Sequence, residues 1–385
     1  MAAMDVDAPP VLEAQKKKHS DLAEQIDELS KLWSEKLYHQ LTQVLFTFLV
    51  APSLTESDLS ELYEGLVKPL EKKLDKVKVV QLLAIITKPR PAAKALELIA
   101  SYEEFTKEHR DSRFMWEALK AEKLVAAGQT DAAKELLDTL GKQISAAYEV
   151  NAMIQSQLHK TNAFLWKALS RPQDYFRSSI LYMAYTPLSE IPEKDRARLA
   201  FEIGVAGLIA PEEFEFGELM QQDLITSLPG SEYEWLKDVL QAFSEGRFEL
   251  FDSALNQHRS KMEAVPELKS AIDTVLRPKM CALALLELAF RKPKKQRRLG
   301  FSEIAEHCRI STKDVEFLVM KAMCANLVKG QIDEVEQLVV ITWCKPRILD
   351  NARIDLMRER MDAWGQQSDL LLKHLEDMTP ELLIS

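Results

Sequence analysis

The sequence predicts an all-α fold in which helical hairpins stack into a solenoid, followed by a small winged-helix module and a terminal helix. Leu, Ala, Glu and Lys dominate the 385 residues, whereas glycine is scarce at 11. Amphipathic patterns with the 3.6-residue period of a helix fill most of residues 13–290. Only between residues 299 and 343 does the helical pattern give way to a strand pattern.

Two glycine turns indicate how the helices of the solenoid region pair. Gly128 separates apolar patterns over residues 114–127 and 131–137, and Gly246 separates two further patterns in the same way. Small residues around a tight turn between antiparallel helices resemble a tetratricopeptide-type hairpin, although no strict repeat recurs. Each hairpin has one apolar face that only a neighbouring hairpin can bury, which predicts an irregular stack.

Residues 299–346 are predicted to form the winged helix. A short helix is predicted over Phe301–Cys308, and a second begins after Ser311, whose hydroxyl can accept from the free amides of its first turn. The segments Leu327–Asp333 and Leu338–Trp343 predict a two-stranded hairpin, the second being rich in β-branched residues. Two helices followed by a hairpin define the winged-helix pattern.

Three flanking segments complete the predicted organisation. Residues 1–12 are acidic, contain proline and are predicted to be disordered. Residues 284–290 are apolar nearly all round, which places them where the solenoid meets the winged helix. Residues 291–298 carry six positive charges and a proline, and we predict an exposed linker there.

Residues 347–385 predict a terminal helix that continues through Gly365. Apolar side chains recur there at alternating steps of three and four residues, the spacing of a coiled-coil seam. No apolar partner for this seam remains in the chain, so we predict that it binds helices of a partner. The residues of this terminal seam are Ile354, Met357, Met361, Trp364, Leu371, Leu375 and Met378.

The second strand of the hairpin is predicted to be a docking edge. It is apolar and β-branched, and a two-stranded sheet leaves an edge open to a strand from another subunit. The predicted partner-binding residues of this edge strand are Leu338, Val339, Val340, Ile341, Thr342 and Trp343.

Composition and spacing argue against several function classes. The formal net charge of −10 provides no general attraction for nucleic acid. No apolar run approaches the roughly 20 residues that span a bilayer, so no membrane partner is predicted. The first ten residues do not resemble a secretory signal, and the four cysteines are widely spaced. These features predict free thiols in a reducing compartment.

No residue pattern predicts catalysis, a metal site or a cofactor. The seven histidines and four cysteines form no His-x-His, His-Glu-x-x-His or Cys-x-x-Cys pattern, and no glycine-rich phosphate loop occurs. His307 and Cys308 are adjacent on a helix and therefore point about 100° apart, which disfavours a catalytic dyad. Neighbouring carboxylates such as Glu303 and Glu306 are typical of solvated helix faces.

A winged helix can also bind DNA by placing its second helix in the major groove. The charged and outward-facing residues of that helix are Lys313, Asp314, Glu316, Phe317, Met320 and Lys321. This face is neutral and apolar, and the wing turn at residues 334–336 is acidic, whereas DNA readers carry basic and amide side chains there. Protein binding is favoured, with a nucleic-acid-binding adaptor as the alternative because of the basic residues 291–298.

Several segments together resemble the PCI-domain subunits of the proteasome lid, the COP9 signalosome and initiation-factor-3 assemblies. The likeness is closest to the lid members and covers most of the chain, although residues 88–170 depart most from the family pattern. The stretch 327–350 is the most specific. The segments that carry the resemblance are 36–41, 196–208, 216–219, 235–243, 319–322, 327–335 and 342–350.

The resemblance implies a non-catalytic scaffold subunit of the 26S proteasome regulatory-particle lid, present in cytoplasm and nucleus. It implies assembly with other PCI-domain subunits through adjacent winged helices. It also implies a bundle of C-terminal helices that includes the deubiquitinase pair, whose metal-binding motif is absent from this chain. A scaffold subunit of a COP9 signalosome or initiation-factor-3 type complex is the alternative within the same class.

Overall fold

The computed structural model describes residues 12, 15, 16, 18, 23–49, 56–70, 74–107, 109–292, 297–346 and 351–378. The chain divides into two compact units, one ending at Ala210 and the other beginning at Pro211. That boundary lies inside the predicted solenoid of residues 13–290. The predicted disordered segment lies outside the described residues except for Leu12, which is helical and buried. Residues 293–296 of the predicted linker also lie outside them.

The first unit consists of helices in its described part. A π-helical turn, Tyr63–Val67, joins α3 to α4, and a 3₁₀ turn, Leu188–Glu190, precedes α12. The helices are α1 (Ala23–Ser34), α2 (Tyr38–Leu49), α3 (Glu56–Leu62), α4 (Lys68–Leu70), α5 (Lys76–Thr87), α6 (Ala92–Ser101), α7 (Glu103–Lys107), α8 (Arg110–Ala126), α9 (Thr130–Ala146), α10 (Ala152–Ala168), α11 (Pro172–Tyr185) and α12 (Glu193–Ile209).

The predicted hairpin at Gly128 is confirmed as the α8–α9 pair. Gly128 has φ of +81°, a left-handed conformation that glycine adopts without steric cost. Buried side chains of both helices form one core with α10, including Phe114, Leu137 and Leu158. The α10 helix begins where Asn151 accepts a hydrogen bond from the backbone N–H of Met153 at 3.0 Å. Turn chemistry and apolar periodicity therefore set this part of the stack.

The second unit begins with helices and ends with the winged helix and the terminal helix. A 3₁₀ turn, Asp223–Ser227, follows α13, and a π-helical turn, Ile272–Leu276, joins α16 to α17. The elements are α13 (Phe216–Gln221), α14 (Trp235–Glu245), α15 (Phe248–Glu263), α16 (Pro266–Ala271), α17 (Arg277–Arg291), β1 (Arg298–Gly300), α18 (Phe301–Cys308), α19 (Val315–Cys324), β2 (Val328–Asp333), β3 (Leu338–Cys344) and α20 (Asn351–Met378).

The second glycine turn joins α14 to α15, as predicted. Gly246 has φ of +70° and closes α14 in the left-handed conformation. Aromatic rings fill the core beside this turn, with ring centroids 5.2 Å apart for Phe216 and Phe243 and 5.4 Å apart for Phe243 and Phe251. Such tilted and edge-on contacts stabilise a core beyond simple apolar burial.

The winged helix is confirmed, with its first helix at the predicted bounds. The second helix is preceded by a 3₁₀ turn, Thr312–Asp314, at whose start the Ser311 hydroxyl accepts from the backbone N–H of Lys313 at 3.4 Å. Buried residues of α17 share one core with α18, α19, β2 and β3. The predicted junction at residues 284–290 is therefore part of the winged-helix core.

The sheet has three strands instead of the predicted two, and the strand that was predicted to lie at its edge lies in the middle. Its order is β1-β3-β2, with both neighbours antiparallel to β3. Arg298 lies opposite Val340 and Gly300 opposite Leu338, so the predicted linker ends in a strand at Arg298. The prediction that Leu338–Trp343 forms an edge strand was wrong, because β1 covers the side that a two-stranded sheet would leave open.

The terminal helix is confirmed as one continuous element of 28 residues, Asn351–Met378. It passes through Gly365 without interruption, although glycine disfavours a helix by about 1 kcal/mol relative to alanine. The remaining predicted residues of this segment, 347–350 and 379–385, lie outside the described part of the chain.

Candidate assembly interface

The six predicted docking residues of β3 fall into three environments. Val339 and Ile341 are fully buried in the winged-helix core, because alternate side chains of a strand point to one face. Leu338 and Val340 are half-buried, and only Thr342 and Trp343 are exposed. Most of the predicted docking strand therefore stabilises its own domain, while its last residues remain accessible.

Proline at position 340 is accordingly expected to destabilise the winged helix itself. Val340 lies between Arg298 and Gln331 in the central strand, and proline there removes a ladder N–H and restricts the backbone. We expect Val340→Pro to lower the melting temperature of the isolated chain, measured by circular dichroism. Proline at Val335 serves as the control, because Val335 is exposed and is the second residue of the wing turn that the Gln337 N–H closes onto the Glu334 carbonyl. A Val340→Pro variant with the wild-type melt would contradict the observed strand order.

Among the described residues, no strand pairs with the outer side of β2, so β2 is the longer open edge of the sheet. Its Lys329, Gln331 and Asp333 side chains are exposed, and the Lys329 amine lies 5.2 Å from the centroid of the Trp343 ring. Charged side chains and a bulge between Lys329 and Gly330 are devices that limit unspecific strand addition. Any strand that docks here meets a polar and irregular edge.

The outer face of α19 is apolar, as the sequence predicts. Phe317 and Met320 are exposed, and the Lys321 amine lies 4.5 Å from the centroid of the Phe317 ring. Beside this face is a groove of about 530 Å³ lined mainly by apolar side chains, including Phe214 and Phe317. This surface fits protein contacts better than base edges, which need hydrogen-bonding side chains.

The groove is also lined by Lys279, a buried lysine that sequence reasoning did not single out. Its amine lies 4.8 Å from the ring centroid of Phe216 and 5.6 Å from that of Phe214. Burial lowers the pKa of Lys279 to about 7, and the nearby Glu213 carboxylate opposes this shift only in part. Periodicity could not identify the position, since lysines on helices usually face solvent.

Stability of the second unit should therefore rise with pH just above neutrality. Between pH 7 and 8.5 the Lys279 amine is protonated in the unfolded chain but largely neutral in the folded one, so the unfolded state binds more protons. Burial raises the pKa of Cys308 to about 12 and also raises the pKa of Cys281, so both thiols oppose this trend once the pH passes the ordinary thiol pKa. We expect a gain in unfolding free energy on the order of 1 kcal/mol across this window.

Urea unfolding at several pH values tests this expectation. Lys279→Met should flatten the rise, whereas Lys321→Met, an exposed lysine lining the same groove, should leave it unchanged. An equal slope in wild type and Lys279→Met would show that another group titrates.

The terminal seam is exposed along the whole helix. Its seven residues, Ile354 to Met378, have between 45% and 69% of their surface accessible. Soluble monomers rarely leave such a continuous apolar stripe in water. The partner-binding role of the seam stays a prediction. Leu372 is a further exposed apolar residue beside the seam, which the strict spacing of three and four missed.

Two features of other protein classes are absent from the described ranges. No group of three or more His, Cys, Asp or Glu side chains there is placed to hold a metal ion. Within the same residues, no helix has the length and apolarity needed to cross a bilayer. All four cysteines carry free thiols.

A winged helix that shares its core with the preceding helix, after a series of helical hairpins, is the architecture of a PCI-domain protein. Residues 255–343 match the PCI domain. Residues 25–240, more than half of the chain, match the PSD13 N-terminal repeats, and the chain belongs to this family. The PCI match spans the winged helix together with α16, α17 and most of α15.

Relatives match over nearly their whole length. The 26S proteasome non-ATPase regulatory subunit 13 of Dictyostelium discoideum is 27% identical over 97% of both chains. Homolog A of the same subunit from Arabidopsis thaliana is 28% identical over 97% of this chain and 98% of its own. The 26S proteasome regulatory subunit RPN9 of Saccharomyces cerevisiae is 28% identical over 91% of both chains.

Proposed function

We propose that this chain is a non-catalytic structural subunit of the 26S proteasome regulatory-particle lid, and that it supports the degradation of ubiquitinated proteins through assembly. The observation that carries the proposal is the terminal seam, a 28-residue helix with an exposed apolar stripe. The full-length match to proteins named as proteasome regulatory subunits favours the proteasome over other PCI-containing complexes.

Two surfaces would make the contacts. The winged helix offers the open edge of β2 and the apolar outer face of α19 to other PCI-domain subunits of the lid. The terminal seam would pack in a bundle with the C-terminal helices of lid subunits, including the deubiquitinase pair. Burial of each large apolar side chain contributes about 1.5 to 3 kcal/mol, so a partner that covers the seam gains substantial stability. With this role we propose that the chain acts in the cytoplasm and nucleus.

Affinity purification of the tagged full-length chain from lysate, followed by mass spectrometry, tests the proposal. We expect proteasome regulatory subunits in stoichiometric yield, retained at moderate salt because the contacts are largely apolar. Purified chain alone should hydrolyse neither ATP nor ubiquitin conjugates. Recovery of DNA or RNA in a salt-sensitive manner, without proteasome subunits, would instead support a nucleic-acid-binding adaptor.

A further inference from the structure

The terminal helix carries a row of carboxylates along one side of its seam. Asp355, Asp362, Asp369 and Glu376 follow one another at intervals of seven residues, which returns each to the same side of the helix. All four are exposed. Asp355 pairs with Arg358 at 3.5 Å, whereas the other three have no ion-pair partner among the described residues. We call Asp362, Asp369 and Glu376 the acidic row.

The acidic row borders positions that a partner helix must cover. Leu372 is exposed and extends the apolar surface beyond the seam. On a helix, residues three and four apart are neighbours, so Leu372 lies between Asp369 and Glu376. Gly365 lies between Asp362 and Asp369 in the same way and leaves open space beside the helix. A partner that packs over Gly365 and Leu372 therefore passes directly beside the row.

The opposite border of the seam has a different charge. Arg360, Gln367 and His374 also follow one another at intervals of seven residues, and all three are exposed. About a stripe that includes Gly365 and Leu372, the terminal helix is therefore chemically asymmetric, with carboxylates on one border and basic or neutral groups on the other. Arg358, which pairs with Asp355, lies on the acidic side near the start of the helix. Such borders select partners and their orientation in helical bundles.

A second copy of this chain would complement the acidic row only in part. In an antiparallel pair the Arg360 border faces the same border of the other copy, which brings Arg360 opposite His374. In a parallel pair Arg360 of the copy faces Gly365, between Asp362 and Asp369, whereas the neutral Gln367 faces Leu372, between Asp369 and Glu376. In these pairings a copy therefore supplies a cation to at most one of the two gaps in the acidic row.

We propose that the terminal helix selects a partner helix that carries lysine or arginine at intervals of seven residues along the edge facing Asp362, Asp369 and Glu376. The inference rests on the proposed bundle role of the seam and specifies the chemistry of its partner. Carboxylates brought beside a packed interface lose part of their hydration, and cations on the partner offset that loss. The apolar stripe supplies affinity, and the acidic row supplies the choice of partner.

Two synthetic helical peptides with one leucine seam provide the probes. One carries lysine and the other glutamate at intervals of seven residues beside the seam, and each is titrated with the full-length chain by fluorescence anisotropy. We expect about tenfold tighter binding of the lysine peptide at low salt. The difference should shrink as salt rises, because ions screen exposed charges.

Two double variants with the same change in net charge distinguish recognition by the acidic row from a general attraction of the lysine peptide to a negatively charged chain. Asp362→Asn with Asp369→Asn should remove most of the preference. Glu334→Gln with Glu336→Gln, two exposed acids of the wing turn outside this helix, should retain it. Equal binding of both peptides, no binding of the lysine peptide, or equal loss in the two variants would overturn the inference.

The outcome is separable from that of the proposed function. If truncation of the helix abolishes lid incorporation but the peptides bind equally, the inference fails and the lid role stands. If the lysine peptide is preferred but no proteasome subunits co-purify with the chain, the lid role fails and the charge selectivity stands.

Discussion

Truncation after Asp350 is expected to leave the melting temperature of the isolated chain unchanged while it strongly reduces incorporation into the proteasome lid. The terminal seam is exposed in the chain alone, so its removal takes little buried surface from either unit. In an assembly, each covered seam residue would contribute about 1.5 to 3 kcal/mol. Co-purification of lid subunits with tagged variants, alongside thermal melts of the purified chains, measures both effects.

Trp364 should be the most sensitive single position in the seam. It lies near the middle of the helix, and interfaces concentrate their energy in central aromatic side chains. Trp364→Ala is expected to weaken incorporation by about thirtyfold, which corresponds to a hot-spot loss of about 2 kcal/mol. Leu370→Ala is the matched control, because Leu370 is similarly exposed but lies about 100° around the helix from Leu371.

A drop of many degrees on truncation would contradict the partner-bundle interpretation. It would mean that the helix folds back onto its own chain in solution and stabilises it there. Equal losses for Trp364→Ala and Leu370→Ala would likewise show that the seam is not the contacting face.

Gly330→Val should have the largest effect on folding. A Cβ atom at Gly330 would lie 2.2 Å from the carbonyl oxygen of Val340 and 3.1 Å from the Cα of Ile341. Both atoms belong to the backbone of the central strand, which cannot move without breaking its pairing with β1 or β2. We expect a loss of about 3 kcal/mol or more.

Thermal unfolding of the full-length chain tests this, with an expected fall of roughly 6–12 °C in the transition of the second unit. Gly365→Ala is the control, since a Cβ there meets nothing within 4 Å. Alanine favours the terminal helix by about 1 kcal/mol relative to glycine and should leave the winged-helix transition in place. A wild-type transition in Gly330→Val would show that the two strands approach less closely than the structure indicates.

Gly330→Val and Trp364→Ala together separate an effect on folding from an effect on assembly. Gly330→Val should reduce both the melting temperature and incorporation, because an unfolded winged helix offers no binding surface. Trp364→Ala should reduce incorporation alone. Parallel losses in both measurements for both variants would indicate that the terminal helix is part of the folded core.

Local signals explain why several elements were predicted at their observed positions. The helix Phe301–Cys308 has an apolar face and ends before a turn, and Ser311 accepts from an amide of the next turn as its position suggests. Gly128 and Gly246 each adopt the left-handed conformation of a helix end. In the terminal helix, a seam that keeps its phase through Gly365 predicted a single element.

The strand β1 could not be predicted from local sequence signals. Arg298–Gly300 has three residues and follows a basic segment, so it carries neither the length nor the alternation of a predicted strand. It becomes a strand because β3 offers unpaired backbone groups beside it, and the Ile341 N–H donates to the Arg297 carbonyl at 2.9 Å. The partner-binding role of the β3 residues stays a prediction, now limited to the exposed Thr342 and Trp343.

The sequence by itself determined the helical class, the winged-helix pattern and the terminal seam, because each depends on periodicity within one segment. Only the tertiary structure decided that β3 is central, that Gly330 lies against the backbone of Val340 and that Lys279 is buried beside Phe214 and Phe216. Strand order, close approach and burial depend on which distant segments meet. A local pattern of residues does not specify these long-range contacts, since the same pattern is compatible with several neighbouring segments.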